Sequence, residues 1–222
     1  MDPAPSGSAR RYNAPMIPAI AIALDPGLSG IVAAAALAVD GVVVRDRHAA
    51  LDAPLHAAAE RMRAAPDAPE VTAAVRTMYK RVGLDPTKTR PSTEALLRRV
   101  RRGDDLPRIN SLVDVVNWSS LESRLPFGLY DADRIEGDVV LRLGRAGEEY
   151  AGIRKDVVHL DGRMTLADAR GPFGNPTSDS ARTMVTQATR RALVVVFAPA
   201  TMADAGGAAL AIARARIVQY CS

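Results

Sequence analysis

The run Leu106-Pro-Arg-Ile-Asn-Ser-Leu-Val-Asp-Val-Val-Asn-Trp-Ser-Ser-Leu121 constrains this chain more than any other segment. Apolar residues recur there at helical spacing, and Asn110, Asp114 and Asn117 form a second stripe beside them. A surface helix normally leaves its second face to long charged side chains. Asn and Asp are poor residues for a helix interior because their short side chains compete for backbone hydrogen bonds. Something other than helix propensity must hold them in this run.

At 222 residues the chain can bury a real core. The expected organisation is a disordered tail over residues 1–15 and a single domain over 16–222. Only 4% of residues are aromatic, which argues against a base-stacking platform built from many rings. The single cysteine, Cys221, excludes an intrachain disulfide and fits a reducing compartment. Arg10-Arg11 followed by the apolar Ala14–Leu24 superficially resembles a signal peptide, but Asp25-Pro26-Gly27 interrupts it. The Ala-rich run Leu28–Val39 is too short to span a bilayer. A cytoplasmic protein with no membrane partner is expected.

The pattern along the chain predicts a strand at Ile17–Leu24 and a turn at Pro26-Gly27. Leu28–Val39 reads as a strand or a buried helix, since periodicity does not separate the two. Asp40-Gly41 before Val42–Val44 is a hairpin signal. Helices follow at Pro54–Ala64 and Glu70–Val82, the second stopped by Gly83, and another opens at Pro91-Ser92 with Ser92 as N-cap. That third helix is expected to bury Leu96, Leu97 and Val100. After the Leu106–Leu121 run come short strands at Gly128–Tyr130, Asp138–Leu143, Val157–Leu160, Arg163–Ala167 and Ala192–Phe197. A closing helix over Thr201–Ala215 is weakened by Gly206-Gly207. This order, a strand, several helices and then a run of strands, predicts an α+β fold.

Three common chemistries lack their residues. His48, His56 and His159 are far apart and share no ligand spacing with a cysteine, so no metal site is expected. There is no Gly-x-Ser-x-Gly elbow, and Asp25–Gly30 lacks both the lysine and the spacing of a phosphate loop. No cofactor is expected.

Charge is uneven. The protein carries +4, yet Tyr79–Arg108 holds nine bases and four acids, so that segment is +5 and the remainder −1. The bases are Lys80, Arg81, Lys88, Arg90, Arg98, Arg99, Arg101, Arg102 and Arg108. The first eight are the candidate RNA-binding set, because neutralising phosphates needs several cations on one side of a scaffold. A solvated face would have the same composition.

A second candidate is Gly171-Pro-Phe-Gly-Asn-Pro-Thr-Ser-Asp-Ser-Ala-Arg-Thr183, which combines loop-forming Gly and Pro with hydroxyls, a carboxylate and a guanidinium. Asp179 could hold an amino-acid ammonium, and Asn175, Thr177 or Ser178 an adenosine hydroxyl. The same residues equally suit an Asx or Ser turn in which Asp179 or Ser180 caps the next helix.

From about Tyr79 to Phe197 the chain resembles the B3/B4 editing domain of the bacterial phenylalanyl-tRNA synthetase β subunit, and more closely the free-standing B3/4 proteins. The resemblance rests on Arg108–Asn117, on Leu125-Pro-Phe-Gly-Leu-Tyr-Asp-Ala-Asp133, on Gly147-Glu148, Leu160-Asp161-Gly162 and Ala167-Asp168, and on the helix entry Tyr79–Leu97. It implies a β-sandwich of unusual topology flanked by helices, and a pocket that cleaves an aminoacyl ester with a positioned water. Two positions depart from the synthetase pattern: Gly128 stands where a His is usual, and Ser178–Arg182 provides no Glu after paired glycines. A pocket serving a different aminoacyl group follows, because losing the partner of a substrate hydroxyl costs discrimination.

The expected function is therefore a trans-acting aminoacyl-tRNA editing hydrolase with tRNA as partner. The expected pocket is Asn110, Asn117, Gly128, Gly174, Asn175, Thr177, Ser178, Asp179, Arg182 and Thr183, with the catalytic group unassigned. The alternatives are a non-catalytic RNA-binding module and a pathway enzyme acting on an amino-acid-like compound.

Overall fold

The computed structural model describes residues 21–222 apart from Lys155. The expected tail over 1–15 and the first residues of the strand expected from Ile17 lie outside the described residues. The fold is α+β, as the element order predicts. Strands β1 (Ile22–Leu24), β4 (Val139–Leu143), β7 (Met164–Asp168) and β8 (Gly171–Gly174) form one sheet in the order β1-β4-β7-β8, with β1 parallel to β4. A second sheet has the order β2-β9-β3, from β2 (Val32–Asp40), β9 (Arg191–Pro199) and β3 (Phe127–Asp131). A small ribbon pairs β5 (Glu149–Ala151) with β6 (Val157–His159).

The central strand β9 explains the second sheet. Ala192–Ala198 is a run of small, β-branched and aromatic residues, and each of its side chains is fully buried. A strand covered on both faces needs no polar alternation. β2 and β3 pair antiparallel along its two edges, so the Leu28–Val39 ambiguity resolves as strand. The two sheets meet where Tyr130 of β3 packs edge-to-face on Phe173 of β8, with ring centroids 5.0 Å apart.

The helices are α1 (Asp52–Ala64), α2 (Pro69–Arg81), α3 (Ser92–Arg101), α4 (Ser111–Ser123) and α5 (Ala203–Tyr220). α5 runs well past the expected end at Ala215 and packs on β2, β9 and α4. Gly206 permits the contact, since a Cβ there would come within 2.9 Å of the Ala198 methyl.

Two local expectations fail. The hairpin at Asp40-Gly41 does not form, because the β9 edge that β2 needs is supplied from the far end of the chain. Val42 and Val44 instead bury their side chains, and the amides of Val42 and Val43 bond to the carbonyls of Arg190 and Cys221. Ser92 is not the N-cap of α3. Pro91 occupies that position, and the Ser92 hydroxyl reaches the Pro176 carbonyl at 3.4 Å. Sequence patterning also missed β5 and β8, which are three and four residues long. Of the apolar residues expected beneath α3, Val100 is buried while Leu96 and Leu97 are half-buried.

The Asn/Asp stripe of α4 separates into different roles. Asn110 is the N-cap, its Oδ1 accepting from the Val113 amide at 3.0 Å. Asp114, fully enclosed, reaches back to accept from the Ile109 amide at 2.8 Å and from Arg108 Nε at 2.7 Å. Together they satisfy backbone donors at a helix start that would otherwise be orphaned. Asn117, two turns further along, faces a cavity.

Candidate functional site

Asn117 opens onto a cleft with two connected parts. The inner chamber, about 150 Å³, lies between α3, α4, the start of β3 and the loop after β8. Leu96, Val116, Phe127 and Pro176 supply apolar wall, and Ser92, Asn117, Asn175, Thr177 and Asp179 supply polar atoms. The outer vestibule, about 640 Å³, shares Ser92, Leu96, Asn117, Thr177 and Asp179 with the chamber. Its remaining rim includes Arg90, Arg99 and Arg154, with Asp156 as the acidic exception. A small polar chamber thus opens through a mainly cationic mouth.

The loop 175–179 is held from both sides. Asn175 Oδ1 accepts from the amides of Thr177 and Ser178, each at 2.8 Å, which makes an Asx turn. Tyr79 of α2 donates its hydroxyl to the Pro176 carbonyl at 2.9 Å, and Tyr150 of β5 donates to the Ser178 carbonyl at 2.6 Å. Burial raises the pKa of both phenols, so each stays protonated and remains a donor. Ser180 then caps the short 3-10 turn Ala181–Thr183 through the Arg182 amide.

Polar atoms in and behind the chamber remain unpaired. Thr177 Oγ1, Asp179 Oδ1 and Tyr130 Oη are all buried without a hydrogen-bond partner. Burial raises the Asp179 pKa to about 7, with the nearby Tyr130 hydroxyl acting in the opposite direction. A buried group left unpaired costs free energy, and such costs concentrate at binding sites.

Tyr130 also explains two glycines. A Cβ on Gly128 would come within 2.3 Å of the Tyr130 hydroxyl oxygen, and one on Gly174 within 2.5 Å of the same atom. The ring folds back along β3 into space that a side chain at either position would claim.

The B3/4 domain family model matches residues 74–208. The chain belongs to the B3/4 domain family. Two curated relatives of this B3/4 protein are phenylalanine–tRNA ligase β subunits. That of Paramagnetospirillum magneticum is 33% identical over 90 residues, covering 35% of this chain. That of Xanthomonas campestris pv. campestris strain 8004 is 36% identical over 91 residues, covering 40%. The chain spans 11% of the length of each. A solved N-terminal fragment of the Pyrococcus horikoshii phenylalanyl-tRNA synthetase β subunit aligns over 50% of this chain and 40% of its own, at 17% identity and a TM-score of 0.43.

Within this B3/4 domain the cleft gathers Asn117, Asn175, Thr177, Ser178 and Asp179 from the expected pocket. The other five are elsewhere. Asn110 is spent as the cap of α4. Gly128 and Gly174 make room for Tyr130 instead of lining the chamber. Arg182 grips Asp168 with two bonds of 2.9 and 3.0 Å and also bonds the carbonyls of Arg134 and Gly171. Thr183 is fully buried against the Phe173 carbonyl. Arg182 and Thr183 therefore brace the loop; neither lines the chamber or the vestibule.

The basic set divides too. Arg90 and Arg99 face the vestibule, whereas Arg98, Arg101 and Arg102 turn into a separate groove of about 590 Å³ beside α2, with Arg76 and Arg124. Several of those are occupied: Arg101 pairs with Asp67, Arg76 forks onto Glu94 at 2.7 and 2.8 Å, and Arg124 bonds the Pro66 carbonyl. Lys80, Arg81 and Lys88 are exposed, and Arg81 touches the Gly30 carbonyl at 3.3 Å. None of the three lines the cleft.

Sequence reasoning missed Tyr79, Tyr130 and Tyr150. Tyr79 reads as part of an apolar stripe, Tyr130 as an ordinary strand residue, and Tyr150 falls in no element that the sequence predicts. A faint signal existed: the chain has five tyrosines and few other rings, so rings that persist are worth examining. Among the described residues no group of three or more His, Cys, Asp or Glu side chains could hold a metal ion. No helix of the described residues is long and apolar enough to cross a membrane.

Proposed function

We propose that this protein is a trans-acting aminoacyl-ester hydrolase that deacylates a mischarged tRNA. The observation that carries the reading is the continuity of a small polar chamber, holding the unpaired Asp179 Oδ1, with a vestibule rimmed by Arg90, Arg99 and Arg154. The β-subunit relatives, named for phenylalanine–tRNA ligation, favour tRNA over other polyanions.

In this reading the arginines take the phosphates of the acceptor end and the chamber takes the aminoacyl group. A buried carboxylate gains most from a cation, and the α-ammonium of an aminoacyl ester supplies one to Asp179. Asn117 and the Thr177 hydroxyl, which line the same chamber, then hold the water and the ester carbonyl in this reading. The water oxygen bonds to the carbonyl carbon, the ester C–O bond breaks, and the ribose oxygen leaves with a proton drawn from that water. Rate enhancement comes from positioning and from donors already aimed at the developing charge.

The test is deacylation of a panel of correctly and wrongly charged tRNAs by the full chain. Turnover above the spontaneous rate on one mischarged species, lost in Asp179→Asn, supports the reading. Salt-sensitive tRNA binding with no ester cleavage on any substrate would replace it with a non-catalytic binding module.

A further inference from the structure

We infer that Tyr130 is a positioning residue for Asp179: its hydroxyl donates to the carboxylate from behind the cleft wall and holds it as an anion for a substrate ammonium. The inference rests on the hydrolase reading and adds to it how the chain keeps a buried carboxylate ready for a cation.

Geometry is the first argument. The Tyr130 ring is fully buried and packs edge-to-face on Phe173. Its hydroxyl oxygen ends where a Cβ on Gly128 or Gly174 would stand, at 2.3 and 2.5 Å. Gly174 pairs with Asp179 in an antiparallel bridge, and the Ser180 amide bonds to the Phe173 carbonyl at 2.9 Å. The segment 178–180 thus folds back along β8, and a hydroxyl delivered to Gly174 is delivered to Asp179. Phenol and carboxyl are neighbours there, each altering the ionisation of the other.

Chemistry is the second. Tyr130 Oη and Asp179 Oδ1 are both buried without a hydrogen-bond partner, and one can donate where the other accepts. Leaving both orphaned costs free energy, and an ionised carboxylate accepts more strongly than a neutral one. Burial keeps the proton on Tyr130, so the phenol has one to give. The other charged and titratable groups around Asp179 leave this role open. Tyr150 of β5 gives its hydroxyl to the Ser178 carbonyl. Arg90, Arg99, Arg154 and Asp156 stand along the vestibule, and among the described residues none bonds to the Asp179 carboxylate.

The experiment is an NMR titration of the carboxyl carbons of the full chain, with the Asp179 signal identified by its loss in Asp179→Asn. The wild-type midpoint is expected at about 7 and that of Tyr130→Phe at about 8, since only the donor to the charged form is removed. Tyr150→Phe loosens the same loop without touching that donor, so its midpoint is expected to hold or to fall as water enters. If Tyr130→Phe fails to fold, the wild-type Tyr130 Cζ signal answers instead: it is expected to follow the Asp179 midpoint and to stay flat in Asp179→Asn. Calorimetric affinities for non-hydrolysable 3′-amide analogues of alanyl- and phenylalanyl-adenosine read the functional side. The ratio of wild type to Tyr130→Phe cancels the titration of the ligand's own ammonium. That ratio is expected to be about five-fold at pH 7 and to approach one by about pH 9. A midpoint that does not rise in Tyr130→Phe, one that rises equally in Tyr150→Phe, or an affinity ratio independent of pH overturns the inference and leaves the hydrolase reading standing. A raised midpoint with no binding of either analogue removes that reading, and with it the ammonium role.

Discussion

The Arg182 guanidinium closes on Asp168 as a two-pronged fork, with the carboxylate fully enclosed and the arginine mostly so. The pair ties the segment following the 175–179 loop to the end of β7, and Arg182 also lies 5.6 Å from the Phe173 ring centre. Burial pushes the Asp168 pKa up, but the Arg182 bonds and the amides of Glu136 and Arg170 outweigh it and the net shift is downward.

Arg182→Ala strands that carboxylate. Breaking a buried pair from one side costs roughly 3–5 kcal/mol, and the loss is read from urea unfolding at neutral pH. Arg182→Lys recovers only part, because an ammonium cannot reproduce the fork. Asp168 has a lowered folded-state pKa, so the pair's contribution is complete above the ordinary carboxylate value of 3.8 and fades as pH falls below it. The difference between wild type and Arg182→Ala therefore shrinks in acid.

Gly128→Ala places a methyl against the Tyr130 hydroxyl oxygen at 2.3 Å and costs about 1–3 kcal/mol as overpacking. In a Tyr130→Leu background the ring is gone and the same substitution is expected to cost much less. Unfolding free energies of the four proteins give the coupling, and independent costs would show that the ring is not the obstacle.

Tyr79→Phe and Tyr150→Phe each remove one of two donors to a loop carbonyl, leaving Pro176 with the Ser92 hydroxyl at 3.4 Å and Ser178 with the Asn175 amide at 3.2 Å. Each is expected to lose about 0.5–1.5 kcal/mol and to loosen the loop, seen as faster hydrogen exchange over residues 175–179.

Asp179 gives the opposite pH sign to Asp168. Its folded-state pKa is raised to about 7 from 3.8, so from about pH 4 upward the unfolded chain ionises while the folded chain resists. Stability from this group falls between about pH 4 and pH 7. Asp179→Asn does not titrate, so its melting temperature relative to wild type is expected to rise across that window, on the order of 10 °C. A constant difference would place the carboxyl in water.

The two arginine sets are expected to differ toward tRNA. Replacing Arg90, Arg99 and Arg154 by alanine should lower affinity and flatten the slope of log affinity against log salt by about 2–3, as loss of three phosphate contacts requires. Replacing Arg98, Arg101 and Arg102 should change it less, since Arg101 is already paired with Asp67 and Arg102 lies 3.8 Å from Asp104. Filter binding over a salt series measures both.

What the sequence determined by itself is local. Helical periodicity placed α2 and α4 within a few residues, and the run at Ala192–Phe197 announced a strand. The Leu106–Leu121 run with the motifs after it placed the chain in its family, and the Gly171–Thr183 loop was marked as a place where ligand groups gather. Each depends on neighbours within one or two turns. Which polar groups stay free for a ligand was decided only by the tertiary structure. Asn110 and Arg182 looked like pocket residues but are consumed by Val113 and Asp168, whereas Asp179 is left with a bare oxygen. Tyr79 reaches Pro176 across 97 positions of sequence. A hydrogen-bonding side chain is available only when no partner has taken it, and those partners arrive through packing between distant segments that no local pattern records.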